Sequence, residues 1–336
     1  MEITTLGIDL AKSVFQLHGV DASGQVVLQR KLRRRVVLGT LAKFPPCLVG
    51  MEACATSHYW AREIAALGHD VRQIPPKYVK PYVKRQKNDM ADAEAICEAV
   101  TRPNMHFVAV KTADQQAVLM LHRARDLLVR QRTMLINALR AHLAELGIVA
   151  AQGPDKIRDV CNDLAANQLD IPHLAQSALC SLVGQMDALE TEISELELKI
   201  KHWHRTSAVS QRLATIPGVG IITATALAAT IADPSQFKSG RQFAAWLGLV
   251  PRQNSSGGKE RLGRITKMGD GYLRKLLVVG ATAVLRHTVR KQTQTAMWLQ
   301  RLMEKKPNRV VSVALANKTA RIAWAVMSKA EDYKPA

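Results

Sequence analysis

Short apolar runs and helical spacings alternate over the first third of the chain. The runs predict five strands: Ile3–Leu10, Val14–Val20, Gln25–Leu32, Cys47–Met51 and Val71–Ile74. The polar stretch from Asp21 to Gly24 separates the second and third runs and predicts a hairpin turn. Helical spacing follows over Ser57–Leu67 and Asp89–Val100, and the second of these helices ends before Pro103. Three consecutive strands, then helices alternating with strands, predict a mixed α/β sheet.

The middle of the chain changes to long helices. Between Thr112 and Gly147 there is no Pro or Gly, and leucines recur at helical spacings. After a predicted loop over residues 150–175, a second long helix carries apolar residues at alternating steps of four and three: Leu182, Met186, Leu189, Ile193, Leu196, Ile200 and Trp203. This heptad pattern is typical both of an antiparallel helical pair within one chain and of a dimerising coiled coil, and it does not separate the two.

The last third is predicted to be helical with one interruption rich in Gly and Ser. The uncharged stretch Leu213–Ala232 has the length of a membrane span, but Pro217, Gly218 and Gly220 break it into two short buried helices. The turn between them resembles a helix-hairpin-helix, in which backbone N–H groups approach a DNA phosphate closely. A small subdomain of packed helices needs the same turn residues and is the alternative.

The net charge of the chain indicates what kind of molecule it binds. The 336 residues include 47 Lys and Arg against 28 Asp and Glu, so the formal net charge is +19. This excess indicates a polyanionic partner. Because no signal peptide follows Met1 and no apolar span is unbroken, we expect nucleic acid and no membrane. Five Cys without a CxxC pair indicate reduced thiols in a cytosol, so we expect a cytoplasmic protein.

Four carboxylates occupy positions where the predicted strands and helices bring acids together. Asp9 ends the first strand, Glu52 directly follows the fourth, and Asp89 and Asp92 share one face of a helix. Each acid alone fits a cap or a solvated charge. Together they favour a site for two divalent metal ions, which stabilise the attacking and leaving oxygens in phosphodiester chemistry.

A serine pair lies in the Gly-rich stretch Gly248–Lys259. Ser255 and Ser256 precede Gly257 and Gly258, which leave the backbone able to approach a substrate. A hydroxyl among cations can attack a phosphodiester. Composition alone favours an inert phosphate-binding loop instead.

Several motifs together resemble a known family. Gly7-Ile8-Asp9-Leu10-Ala11-Lys12, Met51-Glu52-Ala53 and the segment from Lys87 to Ala93 resemble the DEDD transposases of bacterial insertion sequences. These are bridge-RNA-guided recombinases, related to Piv-type DNA invertases, with an N-terminal domain of the RuvC-like branch of the RNase H fold. The serine loop, the turn before it and the segment from Ile265 to Asp270 resemble the C-terminal transposase domain of the same family. In one departure, Cys54-Ala55 follows where the family commonly has a turn containing Gly.

The resemblance implies roles for these residues. Asp9, Glu52, Asp89 and Asp92 are expected to be the DEDD ligands of Mg²⁺ or Mn²⁺. Ser256, the Ser preceding Gly, is expected to be the nucleophile, and the adjacent Ser255 is the alternative that spacing alone does not exclude. It also implies a phosphoserine intermediate, donor and target DNA, a guide RNA and a homo-oligomer, as a dimer or tetramer. The corresponding domains are a RuvC-like domain over 1–110, a helical coiled-coil region over 111–205 and a C-terminal transposase domain over 206–336.

Basic clusters around both motifs are candidate nucleic-acid contacts, although a solvated face is the ordinary explanation of a charge run. The nominated residues are Arg33, Arg34, Arg35, Lys84, Arg85, Lys87, Arg252, Lys259, Arg261, Arg264 and Lys267. Two other functions remain open. One is a metal-dependent nuclease resembling a junction resolvase, in which the serine loop only grips phosphate. The other is a nucleic-acid-binding scaffold without catalysis.

Overall fold

The computed structural model describes residues 2–84, 88–259, 261–288 and 293–335. The chain divides into two compact units. The first contains residues 1–116 together with 229–243, and the second contains residues 117–228 together with 244–336. The three-part division made from the sequence stays a prediction.

The first unit is built on a five-stranded mixed sheet, as the sequence predicts. Its strands are β1 (Thr5–Leu10), β2 (Val14–Val20), β3 (Val26–Arg33), β4 (Leu48–Glu52) and β5 (Asp70–Ile74). The order across the sheet is β3-β2-β1-β4-β5. Strands β1, β2 and β3 are antiparallel neighbours, whereas β4 and β5 run parallel to β1. This mixed α/β sheet, followed by many helices, is consistent with an RNase H-like DEDD transposase.

Helices cover both faces of this sheet. They are α1 (Val37–Leu41), α2 (Ser57–Ala65), α3 (Pro76–Val79) and α4 (Asp89–Val100). One face carries the main apolar core, in which Phe15 on β2 packs edge-on against Trp60 of α2 with ring centroids 4.7 Å apart. Helix α4 packs on the opposite face, where its residues share a second core with Ile74. Since side chains alternate along each strand, every second residue of β1 and β4 faces α4.

The rest of the chain is mostly helical. Its elements are α5 (Ala113–Glu145), α6 (Pro154–Ala165), α7 (His173–Thr206), α8 (Ala208–Ala214), α9 (Ile221–Thr230), α10 (Gly240–Trp246), β6 (Pro251–Gln253), β7 (Leu262–Ile265), α11 (Gly271–Thr288), α12 (Gln294–Met303) and α13 (Asn308–Lys329). The stretch predicted as two short helices around a turn contains the end of α8, the Gly-rich turn and α9.

The two long helices pack against each other within the second unit. Leu139 and Leu143 of α5 share a core with Leu179 and Met186 of α7. Nearer the other end of the pair, Arg125 of α5 donates a 2.7 Å hydrogen bond to Glu197 of α7. These contacts join the C-terminal part of one helix to the N-terminal part of the other, so the pair is antiparallel. A coiled coil between chains stays a prediction.

The predicted loop over residues 150–175 was wrong in part, because helix α6 lies inside it. Pro154 stands in the first turn of α6, where the missing N–H costs nothing. Ile157, Cys161 and Leu164 recur at helical spacing and are buried in the core between α5 and α7. That spacing was the available signal, and Gly153-Pro154 concealed it by resembling a break in structure.

One described helix, α13, is long and apolar enough to cross a membrane by length and composition. Its apolar residues Val311, Ala316 and Ala320 are fully buried within the second unit. Such burial is typical of the core helix of a folded protein.

Candidate active site

Asp9 and Glu52 lie side by side at the ends of neighbouring parallel strands. Ile8 of β1 is paired with Met51 of β4, so the next residue of each strand is an acid at the same level. Ile8 and Met51 point into the main core. Asp9 and Glu52 therefore face the opposite side, toward α4, and both are half-buried.

Two glycines allow α4 to lie directly on these strands. A Cβ atom on Gly7 would overlap the carbonyl oxygen of Ala93 and lie 2.5 Å from the Cys97 nitrogen. A Cβ atom on Gly50 would lie 2.8 Å from the Val100 Cβ. Any larger residue at either position would push the helix off the sheet. The close approach of α4 therefore depends on glycine at two positions of the sequence.

The same contacts give the direction of α4 and the level of its first turn. Gly7 lies against Ala93, and the Cys97 thiol reaches the carbonyl oxygen of Thr5, so α4 runs antiparallel to β1. Two residues of strand from Gly7 to Asp9 span about 6.7 Å, which equals four to five residues of helix. The first turn of α4, which carries Asp89 and Asp92, is therefore at the level of Asp9.

The start of α4 is fixed by a side-chain cap. Asn88 accepts a 2.8 Å hydrogen bond from the Ala91 N–H. Just upstream, Lys84 forms a 2.8 Å ion pair with Glu94 of α4. The bond lowers the pKa of Glu94 and raises that of Lys84. Arg85 and Lys87 lie outside the described residues.

The four carboxylates fit a metal by chemistry but are not gathered at ligand distance. Among the described residues, no three acidic, His or Cys side chains form a group able to hold a metal ion. Asp89 is exposed and Asp92 is half-buried. A donor set of carboxylate oxygens from β1, β4 and α4 is the set that Mg²⁺ and Mn²⁺ prefer. Asp9 and Glu52 lie at the carboxyl ends of β1 and β4, and the first turn of α4 carries Asp89 and Asp92 at the same level.

Among the nominated cations near the sheet, Arg34 has a structural contact that sequence reasoning missed. Its guanidinium lies over the ring of Trp60, 5.1 Å from the centroid, and donates a hydrogen bond to the Lys12 carbonyl. Arg33 and Arg35 are exposed. The sequence signal for Arg34 was weak, since nothing along the chain relates it to an aromatic residue 26 positions away.

The predicted serine loop is a β-hairpin. Strands β6 and β7 are antiparallel, and Ser256 is bridged to Lys259 across the turn. Gly257 and Gly258 have φ angles of 55° and 75°. Positive φ at both central residues is the signature of a type I′ turn, which closes a two-residue hairpin. The glycines therefore define a turn of fixed type.

The two serines of this hairpin have different surroundings. The Ser255 hydroxyl accepts a 3.2 Å hydrogen bond from the Arg261 N–H on the opposite strand. Within the described part of the chain, the exposed Ser256 hydroxyl makes no hydrogen bond, although its carbonyl oxygen accepts one from the Lys259 N–H. Ser255 thus holds the hairpin together, whereas Ser256 presents its hydroxyl to solvent at the tip.

Five cations surround the hairpin, and all of them are exposed: Arg252, Lys259, Arg261, Arg264 and Lys267. None of the five has an ion-pair partner among the described residues. Exposed guanidinium and ammonium groups without carboxylate partners are available to phosphates.

The base of the hairpin is held tightly. Gly248 has a φ of 73°, and a Cβ atom there would lie 2.5 Å from the Met268 nitrogen. Arg274 of α11 donates hydrogen bonds of 2.9 and 3.1 Å to the carbonyl oxygens of Leu247 and Met268. Asp270 caps α11 by accepting from the N–H groups of its first turn. The hairpin therefore projects from a rigid support.

A buried histidine connects α5 to this support. The His122 ring lies 3.1 Å from the Tyr272 hydroxyl of α11 and 3.0 Å from the Thr225 hydroxyl of α9. Because Thr225 donates to the Ile221 carbonyl, it accepts from His122 Nε2–H, and Nδ1 accepts from Tyr272. Burial, with a smaller contribution from Arg125, lowers the pKa of His122 to about 4. The imidazole is neutral, and sequence reasoning assigned it no role.

The Gly-rich turn between α8 and α9 has a packing function. Gly218 has a φ of 84°, and a Cβ atom there would lie 2.8 Å from a methyl group of Val284. A Cβ atom on Gly280 of α11 would overlap the Gly218 carbonyl oxygen. In contrast, a Cβ atom on the exposed Gly220 would meet nothing within 4 Å. Gly218 is therefore required for close helix packing, and a DNA-binding role of the turn stays a prediction.

Comparisons with known proteins match the stretch that carries the acids and the stretch that carries the serine hairpin. A family model of transposases, for DEDD enzymes of the IS110 group, matches residues 6–148. A second model, "Transposase IS116/IS110/IS902 family", matches residues 210–296. The chain is 49% identical to a "Probable family 20 transposase" of Pseudomonas aeruginosa, over the full length of both proteins.

Insertion-sequence transposases of two other organisms are also similar. The chain is 42% identical to the transposase for insertion sequence element IS1328 of Yersinia enterocolitica, over 97% of each chain. It is 40% identical to the transposase for element IS1111A of Coxiella burnetii, over 99% of this chain and 92% of that one. The fold and these matches define a DNA transposase, an enzyme class that cuts and rejoins DNA. The chain belongs to the IS110 family of insertion-sequence transposases.

Proposed function

We propose that this transposase cuts DNA through a covalent bond to Ser256, assisted by a divalent metal ion on the N-terminal acids. The observation that carries the proposal is the contrast between the two serines of the hairpin. Ser255 is hydrogen-bonded to the Arg261 N–H, whereas the Ser256 hydroxyl is exposed at the tip among five cations. A nucleophile has to reach the substrate, and both serines are exposed, but among the described residues only the Ser256 hydroxyl is not engaged in a hydrogen bond within the hairpin.

The proposed step conserves the energy of the phosphodiester bond. The Ser256 oxygen attacks phosphorus, an O–P bond forms, and the bond from phosphorus to one deoxyribose oxygen breaks. The serine proton passes to solvent, and the departing oxygen takes up a proton. A second DNA hydroxyl then attacks the phosphoserine and restores the serine. The hairpin cations stabilise the charge on the transferring phosphoryl group in both directions.

Asp9, Glu52, Asp89 and Asp92 are the residues that would hold Mg²⁺ or Mn²⁺. When bound, such an ion neutralises charge on phosphate oxygens and orients them for displacement. The chain contributes carboxylates from three elements at one level of the sheet, supported by the close packing of α4 on Gly7 and Gly50.

The proposed partners are donor DNA, target DNA and a guide RNA. The exposed cations of the hairpin, with the exposed Arg33 and Arg35 at the end of β3, supply contacts to phosphates, which do not depend on sequence. Sequence would then be read by base pairing with the RNA, as in the family that the motifs resemble. The helix-hairpin-helix turn offers a further backbone contact through the exposed Gly220. Sequencing the RNA that copurifies with the chain tests this arm of the proposal.

We further propose a homo-oligomer, a dimer or tetramer, assembled through the long helices. Met120, Leu127 and Met134 of α5 are spaced by seven residues and are 62%, 47% and 69% exposed. Apolar side chains at heptad spacing on an exposed helix face are typical of a coiled-coil seam. The internal partner α7 packs on other residues of α5, which leaves this stripe for a second copy.

The test is a trapped cleavage reaction analysed on a denaturing gel. The full chain, with its copurified RNA, is mixed with labelled DNA from the element's ends and Mg²⁺. Wild type should give a protein–DNA adduct whose linked residue maps to Ser256. Ser256→Ala should lose the adduct and strand exchange by at least a hundredfold while it keeps DNA binding. The matched variant Ser255→Ala should retain the adduct at a reduced rate, because it loses only a hairpin bond.

The acid variants and metal removal complete the same assay. Asp9→Asn should suppress cleavage, and so should excess EDTA with the wild-type protein. Added Mg²⁺ or Mn²⁺ should restore cleavage to the EDTA-treated wild type but not to Asp9→Asn. An adduct on Ser255 would contradict the choice of residue. Cleavage by Ser256→Ala with no adduct in wild type would favour the metal-dependent nuclease. DNA binding without cleavage under every condition would favour the scaffold.

A further inference from the structure

One level of the sheet carries a row of polar side chains that continues from the acids to the open edge. Asp9 of β1 pairs with Gln16 of β2, and Gln16 pairs with Lys31 of β3. Directly paired residues of neighbouring strands project from the same face. Lys31 and Gln16 therefore lie on the α4 side of the sheet, in line with Asp9 and Glu52.

Arg33 extends this row beyond the sheet level of the acids. It lies two residues after Lys31 on β3, so its side chain is on the same face. Arg30 and Leu32 alternate with them onto the other face, where their partners Leu17 and Phe15 belong to the main core. The edge strand thus sorts its cations by face, with Lys31 and Arg33 on the acid side and Arg30 on the core side.

The row is accessible and its charges are available. Lys31 and Arg33 are exposed, and Gln16 is half-buried. Among the described residues, neither cation forms an ion pair and the Gln16 amide makes no hydrogen bond. Strand β3 is at the edge of the sheet, so nothing in the strand order lies beyond it.

The spacing suits a nucleic-acid strand that enters over this edge. Neighbouring strands are about 4.8 Å apart, which puts the Lys31 Cα roughly 10 Å from the Asp9 Cα. An amide at the intermediate strand and cations further out provide donors at successive positions along that path. Phosphate oxygens accept hydrogen bonds from amide, ammonium and guanidinium groups, and the acids themselves repel phosphate until a metal ion is bound.

We propose that Gln16, Lys31 and Arg33 form a track that holds the backbone of the DNA strand being cut, next to the acids. The track is a positioning surface: it contacts phosphates that flank the reacting one and sets the strand's approach to Asp9 and Glu52. The assignment to the cut DNA strand rests on the proposed function of these acids. Its recognition chemistry, a phosphodiester backbone held without base contacts, does not depend on the serine step.

The test measures binding apart from chemistry. Labelled DNA from the element's ends is titrated with the full chain in EDTA at several salt concentrations. The double variant Lys31→Gln/Arg33→Gln should weaken binding about tenfold or more at 100 mM salt. It should also reduce the slope of log affinity against log salt by about two, one for each cation that no longer neutralises a phosphate. Gln16→Ala should weaken binding with the slope unchanged, because it removes no charge.

Arg30→Gln is the matched control. Arg30 is a neighbouring, exposed cation on the same strand, so its variant removes one charge from the opposite face. It should change the DNA affinity by no more than about twofold. It should change the slope of log affinity against log salt by less than about one. If Arg30→Gln weakens binding as much, per charge removed, as the double variant Lys31→Gln/Arg33→Gln, the track is overturned, since a general charge effect would then explain both. Equal thermal unfolding temperatures among the variants exclude misfolding.

A second titration separates the partners. The same variants are tested with the copurified RNA in place of DNA. Loss of RNA binding with intact DNA binding would overturn the assignment to the cut DNA strand. Because no cleavage is needed, a normal track result together with an absent serine adduct would reject the proposed chemistry and keep the track.

Discussion

At the scale of single residues, neighbouring residues of the same chemical type have different surroundings in this fold. Ser255 and Ser256 are adjacent and chemically identical, yet one is hydrogen-bonded across the hairpin and the other is presented at its tip. Lys31 and Arg30 are adjacent cations on opposite faces of an edge strand. In both pairs, the backbone geometry of a strand or turn gives two adjacent, exposed side chains different surroundings.

His122 is a polar group whose surroundings are set by burial. It is 1% exposed, and both ring nitrogens have hydroxyl partners, which satisfy the neutral ring. Burial lowers its pKa to about 4, against 6.5 for an unperturbed histidine. The same burial raises the pKa of Tyr272 to about 12, so the phenol keeps the proton that it donates.

This histidine should make stability depend on pH. The folded pKa is below the unfolded one, so the unfolded state binds more protons and stability falls as pH drops from 6.5 toward 4. At pH 4.5 the loss is roughly 2.5 kcal/mol relative to pH 7. His122→Gln, which does not titrate, should lose less free energy of unfolding over this interval by about that amount. Urea unfolding at both pH values measures it.

His202→Gln is the control for this experiment, because His202 is an exposed residue near the end of α7. It should follow the wild-type pH dependence. If His122→Gln and wild type lose the same free energy between pH 7 and 4.5, the buried neutral ring is not the source of the acid sensitivity.

At the scale of elements, the position of α4 decides whether the acids can share a site. The helix contributes Asp89 and Asp92, and its level is set by contact with Gly7 and Gly50. Neither glycine has a positive φ, so the backbone conformation does not require glycine at these positions. Their role is to let two backbones approach, which makes them as important to the acid site as the acids.

Gly7→Ala should therefore destabilise the first unit and displace the first turn of α4. The new Cβ would overlap backbone atoms of Ala93 and Cys97, which have no rotamer with which to escape. We expect a loss of at least about 2 kcal/mol in the free energy of unfolding, together with loss of cleavage. Thermal unfolding and the cleavage assay measure the two effects.

Gly39→Ala is the matched control, since a Cβ atom at Gly39 meets nothing within 4 Å and Gly39 lies within helix α1. It should be neutral or stabilising by up to about 1 kcal/mol. A Gly7→Ala protein as stable and active as Gly39→Ala would show that α4 does not need its close contact with β1.

The elements also show which features could be predicted from sequence. The strands were found because apolar runs end in turns, and α4 was found over Asp89–Val100 because a stretch with helical spacing ends there, before Pro103. Helix α6 was missed because Gly153-Pro154 is also a loop signal, and the serine hairpin was taken for a loop because its strands are short and exposed. Short exposed strands have no buried alternation to reveal them.

Contacts between residues far apart in the chain could not be predicted from the sequence. The acids were predicted as a set, but the register that aligns Asp9 with Gln16 and Lys31 depends on pairing between strands. The contact of His122 with Tyr272 joins residues separated by 150 positions. Periodicity reports the face on which a residue lies, and it does not report the element that covers that face.

At the scale of the whole chain, charge should dominate the affinity for nucleic acid. The net charge of +19 includes exposed cations on the hairpin of one unit and on the edge strand of the other. A cation that contacts a phosphate releases condensed counterions, and each contact adds about −0.9 to the slope of log affinity against log salt. The five hairpin cations with Lys31 and Arg33 would then give a slope of about −6.

DNA affinity should therefore fall about four-thousandfold from 50 to 200 mM KCl, measured by fluorescence anisotropy in EDTA. Arg102→Gln should leave the slope unchanged, because Arg102 is already paired with Glu98 at 2.9 Å and belongs to neither surface. A variant in which all five hairpin cations are replaced by Gln should make this slope shallower by about four to five. A slope near zero in wild type would mean that stacking or base contacts hold the DNA, which the aromatic content of 4% makes a poor alternative.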